Sequence, residues 1–181
     1  MAAMAHLIDT PRPEEAAALA QVHLQAWLQT YPNEDAGIDE VWIKDNLGSV
    51  VTPEGIARWH AVIEEADRCP NEVFCRAVRA ESGVVGFLCG RRADVVTLGP
   101  MYFLRDAQNL GFGNRLMGEF LAWAGGATIR LWVTAYNEGA IRFYGRYGFK
   151  QTGERELWRG RLPNVRMVRG EVGNRGLPTL E

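Results

Sequence analysis

"AQNLGFGNRLM", residues 107–117, is the stretch on which the fold turns: Gly111 and Gly113 stand one residue apart and run straight into apolar spacing at Leu116 and Met117. That spacing continues through Phe120, Leu121 and Ala124, which predicts a helix, and Gly125–Gly126 is a natural stop. A β-rich run at 95–104 lies just upstream. A glycine pair between strand and helix has two readings. It can form a tight turn, or it can bring backbone close to a phosphate at a helix start, where N–H groups and the helix dipole favour negative charge. Two phosphate loops are excluded. A dinucleotide fingerprint needs a third glycine where Leu116 stands, and a P-loop needs Gly-Lys-Ser/Thr where Asn114–Arg115 follow.

Upstream, after a short apolar start at His6 to Ile8, Asp9 or Thr10 is the expected cap of a helix that Pro11 and Pro13 help to begin and that runs to about Gln29. Ala16, Leu19, Ala20, His23, Leu24, Trp27, Leu28 and Tyr31 recur at threes and fours, one buried helical face. A turn-rich acidic segment, a short amphipathic piece at 41–47 and a helix opened by Thr52–Pro53 follow. "EVFCRAV" and "VVGFLCG" read as a hairpin turned by "RAESG". Downstream, "TIRLWVTA" reads as a strand, "NEGAIRFYGRY" as a short helix, "GFKQTGERELW" as a strand with an extension and "VRMVR" as the last strand. Helices, then antiparallel-type strands, then alternating strand and helix indicate a mixed α/β sheet.

A chain of 181 residues, 47% of them apolar, has the length of one domain with a substantial core. We expect that domain at 1–170 and a flexible tail at 171–181. Net charge is −2 with the signs interspersed, so the composition offers neither a nucleic-acid surface nor a polybasic membrane patch. Cys69, Cys75 and Cys89 have no ligand or CxxC spacing, no metal is expected, and no leader or membrane-length apolar run is evident. A reducing cytoplasm is the expected setting.

Two motifs in order carry a family resemblance. Gln108-Asn109-Leu110-Gly111-Phe112-Gly113 fits the pattern Gln/Arg-x-x-Gly-x-Gly/Ala. Asn137, Ala140, Phe143, Tyr144, Gly148 and Phe149 fit Asn-x-x-Ala-x-x-Phe-Tyr-x-x-x-Gly-Phe. With these the chain resembles the GNAT superfamily of acyl-CoA N-acyltransferases, sharply over 95–150 and loosely before that. The resemblance implies an α/β (α+β) GNAT fold, a mostly antiparallel sheet of six to seven strands flanked by helices. It implies an acetyl-CoA co-substrate whose pyrophosphate sits on the backbone of 108–114, from Gln108 to Asn114. It implies that Phe103 and Leu104 lie beside the pantetheine and thioester, near a bulge that aims an N–H at the thioester oxygen, and that Asn137 contacts pantetheine. Arg142 and Arg146 become neighbours of the CoA phosphates or, alternatively, a solvated helix face. The acceptor is an amine, and an exposed late strand allows a homodimer.

Within that frame Tyr144 is the candidate catalytic residue. Amine attack on a thioester expels a thiolate with a reference pKa of about 8.5, which a well-placed phenol, of reference pKa about 10, can protonate. The alternative is core packing with Phe143 and Phe149. Many family members carry a glutamate in the strand before the glycine loop. The matching region here, Val95 to Gly99 with Thr97 nearest, has none, and Thr134 stands where some relatives have an acid. A water chain or an acid of the loop after Tyr31 is then needed to deprotonate the amine. Glu34, Asp35, Asp39 and Glu40 form an acidic rim for a cationic acceptor or a solvated turn. Trp27, Tyr31 and Trp42 form an aromatic wall for the acceptor or a core. His23 reads as a packed histidine and Cys89 as inert core. The expected function is acetyl transfer to a primary amine of a small molecule by direct attack in a ternary complex. The alternatives are an inactive acyl-CoA-binding module, a protein N-terminal or lysine acetyltransferase, and a longer acyl donor.

Overall fold

The computed structural model describes residues 7–170; His6 and the expected tail at 171–181 lie outside the described residues. Seven strands form one sheet: β1 (Leu7–Asp9), β2 (Val73–Ala80), β3 (Gly83–Arg92), β4 (Val96–Phe103), β5 (Ile129–Thr134), β6 (Lys150–Trp158) and β7 (Leu162–Arg169), in the order β1-β2-β3-β4-β5-β7-β6. Every neighbouring pair is antiparallel except β4 and β5. The helices are α1 (Ala16–Thr30), α2 (Glu40–Leu47), α3 (Pro53–Arg68), α4 (Phe112–Ala124) and α5 (Glu138–Arg146).

Strand alternation sorts the core into two layers. Val73, Cys75, Phe87 and Cys89 pack with Leu19, Trp59 and Ile63 of α1 and α3 on one face. Phe74, Val78, Leu88 and Leu98 pack with Leu116, Met117, Phe120 and Tyr144 of α4 and α5 on the other. A third cluster, Trp27, Tyr31, Ile38, Ile43 and Leu162, joins the end of α1 to α2 and β7. Thr52 caps α3 through Gly55 N–H, as its sequence predicts.

The start of α1 differs from expectation. Asp9 ends β1 and accepts from Thr10 N–H at 2.8 Å rather than capping a helix. The chain enters α1 through a 3₁₀ turn at Pro13–Glu15, where Glu15 reaches back to Arg12 N–H at 2.7 Å. The reason is long-range: Arg79 of β2 binds Glu15 (Nη2 to Oε2, 2.7 Å) and Thr10 C=O (3.0 Å), and so sets where the helix begins.

The Arg79 hydrogen bonds, backed by the Arg12 amide and opposed by burial, hold the Glu15 carboxyl at about 2 instead of 4.5. A folded pKa below the unfolded value gives stability that is present above pH 4.5 and is lost as pH falls towards 2. Glu15→Gln should therefore cost about 1–3 kcal/mol at neutral pH. By calorimetric melting its deficit against the parent should shrink as pH falls from 5 towards 2, and a deficit independent of pH would rule this linkage out.

Candidate active site

The one parallel pair in the sheet is short. β4 and β5 register only at Val96↔Ile129 and Thr97↔Arg130, although β4 continues to Phe103. Past Thr97 the strands diverge, and a cleft of about 630 Å³ opens between them. Leu98 to Phe103 line one wall and Trp132 and Val133 the other, while Ala140, Phe143 and Tyr144 of α5 close the bottom. Gly111, Gly113, Asn114 and Arg146 sit at one end, and Ala26 and Thr30 of α1, with Tyr31 just after it, at the other. The bulge expected near Phe103 lies earlier in β4. Leu88 pairs with Met101 and Gly90 with Leu98, so β4 carries one extra residue at Gly99–Pro100, a cis peptide. Pro100 supplies no N–H there.

The two glycines have separate reasons. Gly111 caps α4 with φ +84°, a left-handed conformation costly for most residues, and an added Cβ would meet no protein atom within 4 Å. Gly113 has ordinary backbone, but its Cβ would lie 3.3 Å from Phe143 Cε2 and 3.7 Å from Met101 Cε, so it lets α4 approach α5. The first intrahelical bond runs from Arg115 N–H to Gly111 C=O at 3.1 Å. The amides of Gly113 and Asn114 therefore have no acceptor within the helix and face its positive end. Tyr147 Oη donates to Asn114 Oδ1 at 2.8 Å and ties this turn to the end of α5.

Tyr144 is buried against Phe143 and Phe149, with ring centroids at 5.5 and 5.7 Å, and lines the cleft, so packing and exposure to the cleft coexist. Its hydroxyl reaches only Met101 Sδ, at 3.9 Å, a weak acceptor that leaves the proton available. Burial pushes its pKa above the usual phenol value. Burial does the same for Tyr31 and Tyr102, and raises Tyr136 to about 12. Thr134, Tyr102 and Asn137 lie near enough to the Tyr31 hydroxyl to favour its phenolate and oppose that rise. Thr134 Oγ1 in turn donates to Asn164 Oδ1 at 3.3 Å, and Asn164 Nδ2 to Glu156 Oε1 at 3.0 Å. No aspartate or glutamate lines the cleft among the described residues, and Glu156 is the carboxylate at the end of this Thr134–Asn164 chain. Thr97 is exposed, outside the cleft.

The structure gathers Phe103, Gln108, Asn109, Gly111, Gly113, Asn114, Asn137, Tyr144, Arg146 and Tyr31 around this cleft. The side chains of four sequence candidates fall elsewhere, although for Leu110 and Phe112 the expected contact is through the backbone. Leu104 turns away and packs in the α1–α3 cluster, its N–H donating to Val85 C=O at 2.9 Å. Leu110 is 55% exposed and Phe112 is buried beneath the start of α4. Trp27 is core, packed on Tyr31 and Trp158 at 4.8 and 5.0 Å. Its indole N–H lies near enough to Tyr102 to favour the phenolate slightly but makes no hydrogen bond of normal geometry.

Asn137 Oδ1 caps α5 through Ala140 N–H at 3.1 Å, so the cap holds that oxygen. Arg146 stacks on Phe143 at the cleft, whereas Arg142 pairs with Glu138 at 3.2 Å outside it. The acidic loop also stays out: Glu34 and Asp35 are exposed, Asp39 caps α2 through Trp42 N–H at 2.7 Å, and Glu40 pairs with Lys44. Trp42 packs edge-on to Trp158. His23 is packed, and Cys89 is buried against Cys75 (Sγ–Sγ 2.9 Å), its thiol raised by that contact and by burial. Sequence reading missed Ala26, Thr30, Met101 and Tyr102. Their signals were present as the i, i+4 spacing of Ala26 and Thr30 beside Trp27–Tyr31, and as the alternation along β4.

The sheet split between two parallel strands, with a helix N-terminus at the mouth, defines the class of protein. The acetyltransferase (GNAT) family model matches residues 26–149, and the chain belongs to that family. No curated protein matches the sequence. Among solved structures, the chain is similar to PaiA N-acetyltransferase of Thermoplasma acidophilum, solved with coenzyme A: TM-score 0.72, 20% identity, 93% of this chain and 100% of that one covered. YncA of Salmonella typhimurium, with acetyl-CoA, gives 0.66 at 17% identity over 97% and 99%. The ribosomal-protein-S18-alanine N-acetyltransferase of Escherichia coli gives 0.58 at 18% identity over 96% and 99%. At these identities the likeness is one of fold. Among the described residues no helix is long and apolar enough to cross a membrane.

Proposed function

We propose that this protein is an acetyl-CoA-dependent N-acetyltransferase that transfers the acetyl group to a primary amine of a small molecule by direct attack in a ternary complex. The observation that carries the reading is the cleft between β4 and β5, with α4's N-terminus at one end and the Tyr144 hydroxyl, held only by a thioether, on its floor. These features fit acetyl-CoA, which supplies the thioester. Gly111, Gly113 and Asn114 at the helix start suit its pyrophosphate, and Arg146 adds positive charge there. The β4 edge from Leu98 to Phe103, unpaired with β5, suits the amides of the pantetheine arm.

Tyr144 gives its proton to the departing thiolate. Burial weakens the phenol as an acid, but the same desolvation raises the thiol's pKa, so the two remain matched. Tyr31 and Tyr102 face the acceptor amine as neutral phenols. Thr134, close to the Tyr31 hydroxyl, and its hydrogen bonds through Asn164 to Glu156 offer a polar connection from beside the cleft to a carboxylate. The end lined by Ala26, Thr30 and Tyr31 is where we place the small acceptor. A cytoplasmic setting accords with Cys69, Cys75 and Cys89 as free thiols.

The test is acetyl-CoA binding by calorimetry, followed in the same preparation by release of free CoA thiol with polyamines, aminoglycosides, amino acids and peptides. Binding with thiol release by small amines is expected. Release by peptides alone would move the acceptor to protein termini or lysines. Binding with no release by any amine would overturn the transferase reading in favour of a binding module.

A further inference from the structure

On the face of β4 covered by α1 and α3 lies a second cavity, of about 290 Å³. Only Gly99 and Pro100 line both it and the cleft, so the β4 bulge separates the two. Its walls are largely apolar, with Val50, Trp59, Val62 and Pro100 among them. An apolar cavity of about half that volume already binds benzene, so there is room here for one or two rings.

Three polar side chains reach this cavity: His23, Arg58 and Arg91. His23 stacks on Tyr102 at 4.9 Å and meets Trp59 edge-on at 5.9 Å, and its Nδ1 is buried with no hydrogen-bond partner. That nitrogen has almost no accessible surface, so His23 meets the cavity with the rest of its ring. Burial holds the ring neutral, with its pKa lowered to about 4, so it adds no positive charge to the cavity. At the open side, Arg91 is committed to Glu65 by two bonds of 2.7 and 2.8 Å. Arg58 is exposed and, among the described residues, pairs with no carboxylate within 4.0 Å, although Glu54 one turn earlier feels its charge.

We propose that this cavity is a second small-molecule site, taking a planar apolar acid of one or two rings: the ring body against Trp59, Val62 and Pro100 beside the His23 ring, and a carboxylate at Arg58. The site lies outside the acetyl-transfer cleft and does not depend on the transferase reading.

The experiment uses the full chain labelled with ¹⁵N, indole-3-acetate as the probe and 3-methylindole as its uncharged counterpart. Saturable shifts are expected at the Gly55 and Gly90 amides and the Trp59 indole N–H, with Gly111 and Gly113 unmoved. Arg58→Ala, a change at an exposed position, should weaken indole-3-acetate about tenfold and leave 3-methylindole within about twofold. Val62→Phe, which narrows the cavity, should weaken both. Absence of shifts at Gly55, Gly90 and Trp59 with several millimolar probe would overturn the site, as would shifts centred on the glycine loop. Equal loss of both probes in Arg58→Ala, or no loss of either, would overturn the assignment of an acid.

Discussion

Tyr144→Phe should lower acetyl-transfer turnover by about 10²–10³-fold while leaving acetyl-CoA affinity within about threefold, the range expected when a positioned general acid is removed without disturbing binding. Phenylalanine keeps the ring contacts with Phe143 and Phe149 and removes only a hydroxyl whose one protein partner is Met101 Sδ, so no strong hydrogen bond is broken. Stability should therefore stay close to the parent's. Because burial holds the phenol above its ordinary pKa, the parent should show no loss of turnover near pH 10 from ionisation of Tyr144. Steady-state rates with calorimetric binding on the same variant decide the point. Turnover within about threefold of the parent would remove Tyr144 from the chemistry and leave it as packing.

The second large effect is expected at Gly111, where conformation and ligand contact can be separated. Asparagine tolerates the left-handed region, so Gly111→Asn keeps the φ of +84° at modest cost, and its Cβ meets no protein atom within 4 Å. If the loop cradles pyrophosphate, that side chain stands where the phosphate belongs, and acetyl-CoA affinity should fall at least about tenfold with melting almost unchanged. Gly111→Val should lose as much affinity and also melt lower, because a β-branched residue is strained at this φ. Calorimetry and thermal melts on both variants give the answer. Full affinity in Gly111→Asn would mean that the glycine serves only the turn, and the cradle would have to be sought elsewhere.

Much of the fold was legible because its signals are local. The 3.6-residue spacing of Leu116, Met117, Phe120 and Ala124, the hairpin turn at Glu81–Ser82, the Thr52–Pro53 helix start and the glycine stop after Ala124 depend on neighbours a few residues away, and each element stands where the pattern puts it. The start of α1 was misread for the opposite reason. Asp9 and Thr10 have the right chemistry for a cap, but Arg79, distant in sequence, recruits Glu15 and moves the start of the helix. At the site, motif matching pointed to the loop, Tyr144 and Asn137, which line the cleft. Arg146 lines the cleft while Arg142 does not, and of the adjacent Phe103 and Leu104 only Phe103 does, a difference that spacing along the chain does not carry.

The sequence by itself determined the elements, their order and the two family signatures, because helical and strand periodicities and turn chemistry are written in short spans of residues. Only the tertiary structure decided where β4 and β5 part and where the β4 bulge falls. It also showed that Gly113 is small to make room for Phe143, that Trp27 is core while Tyr31 borders the cleft, and that Thr134 is joined to Glu156 through Asn164. Each of these depends on strand register and on contacts between segments far apart in the chain, and neither quantity has a local signature.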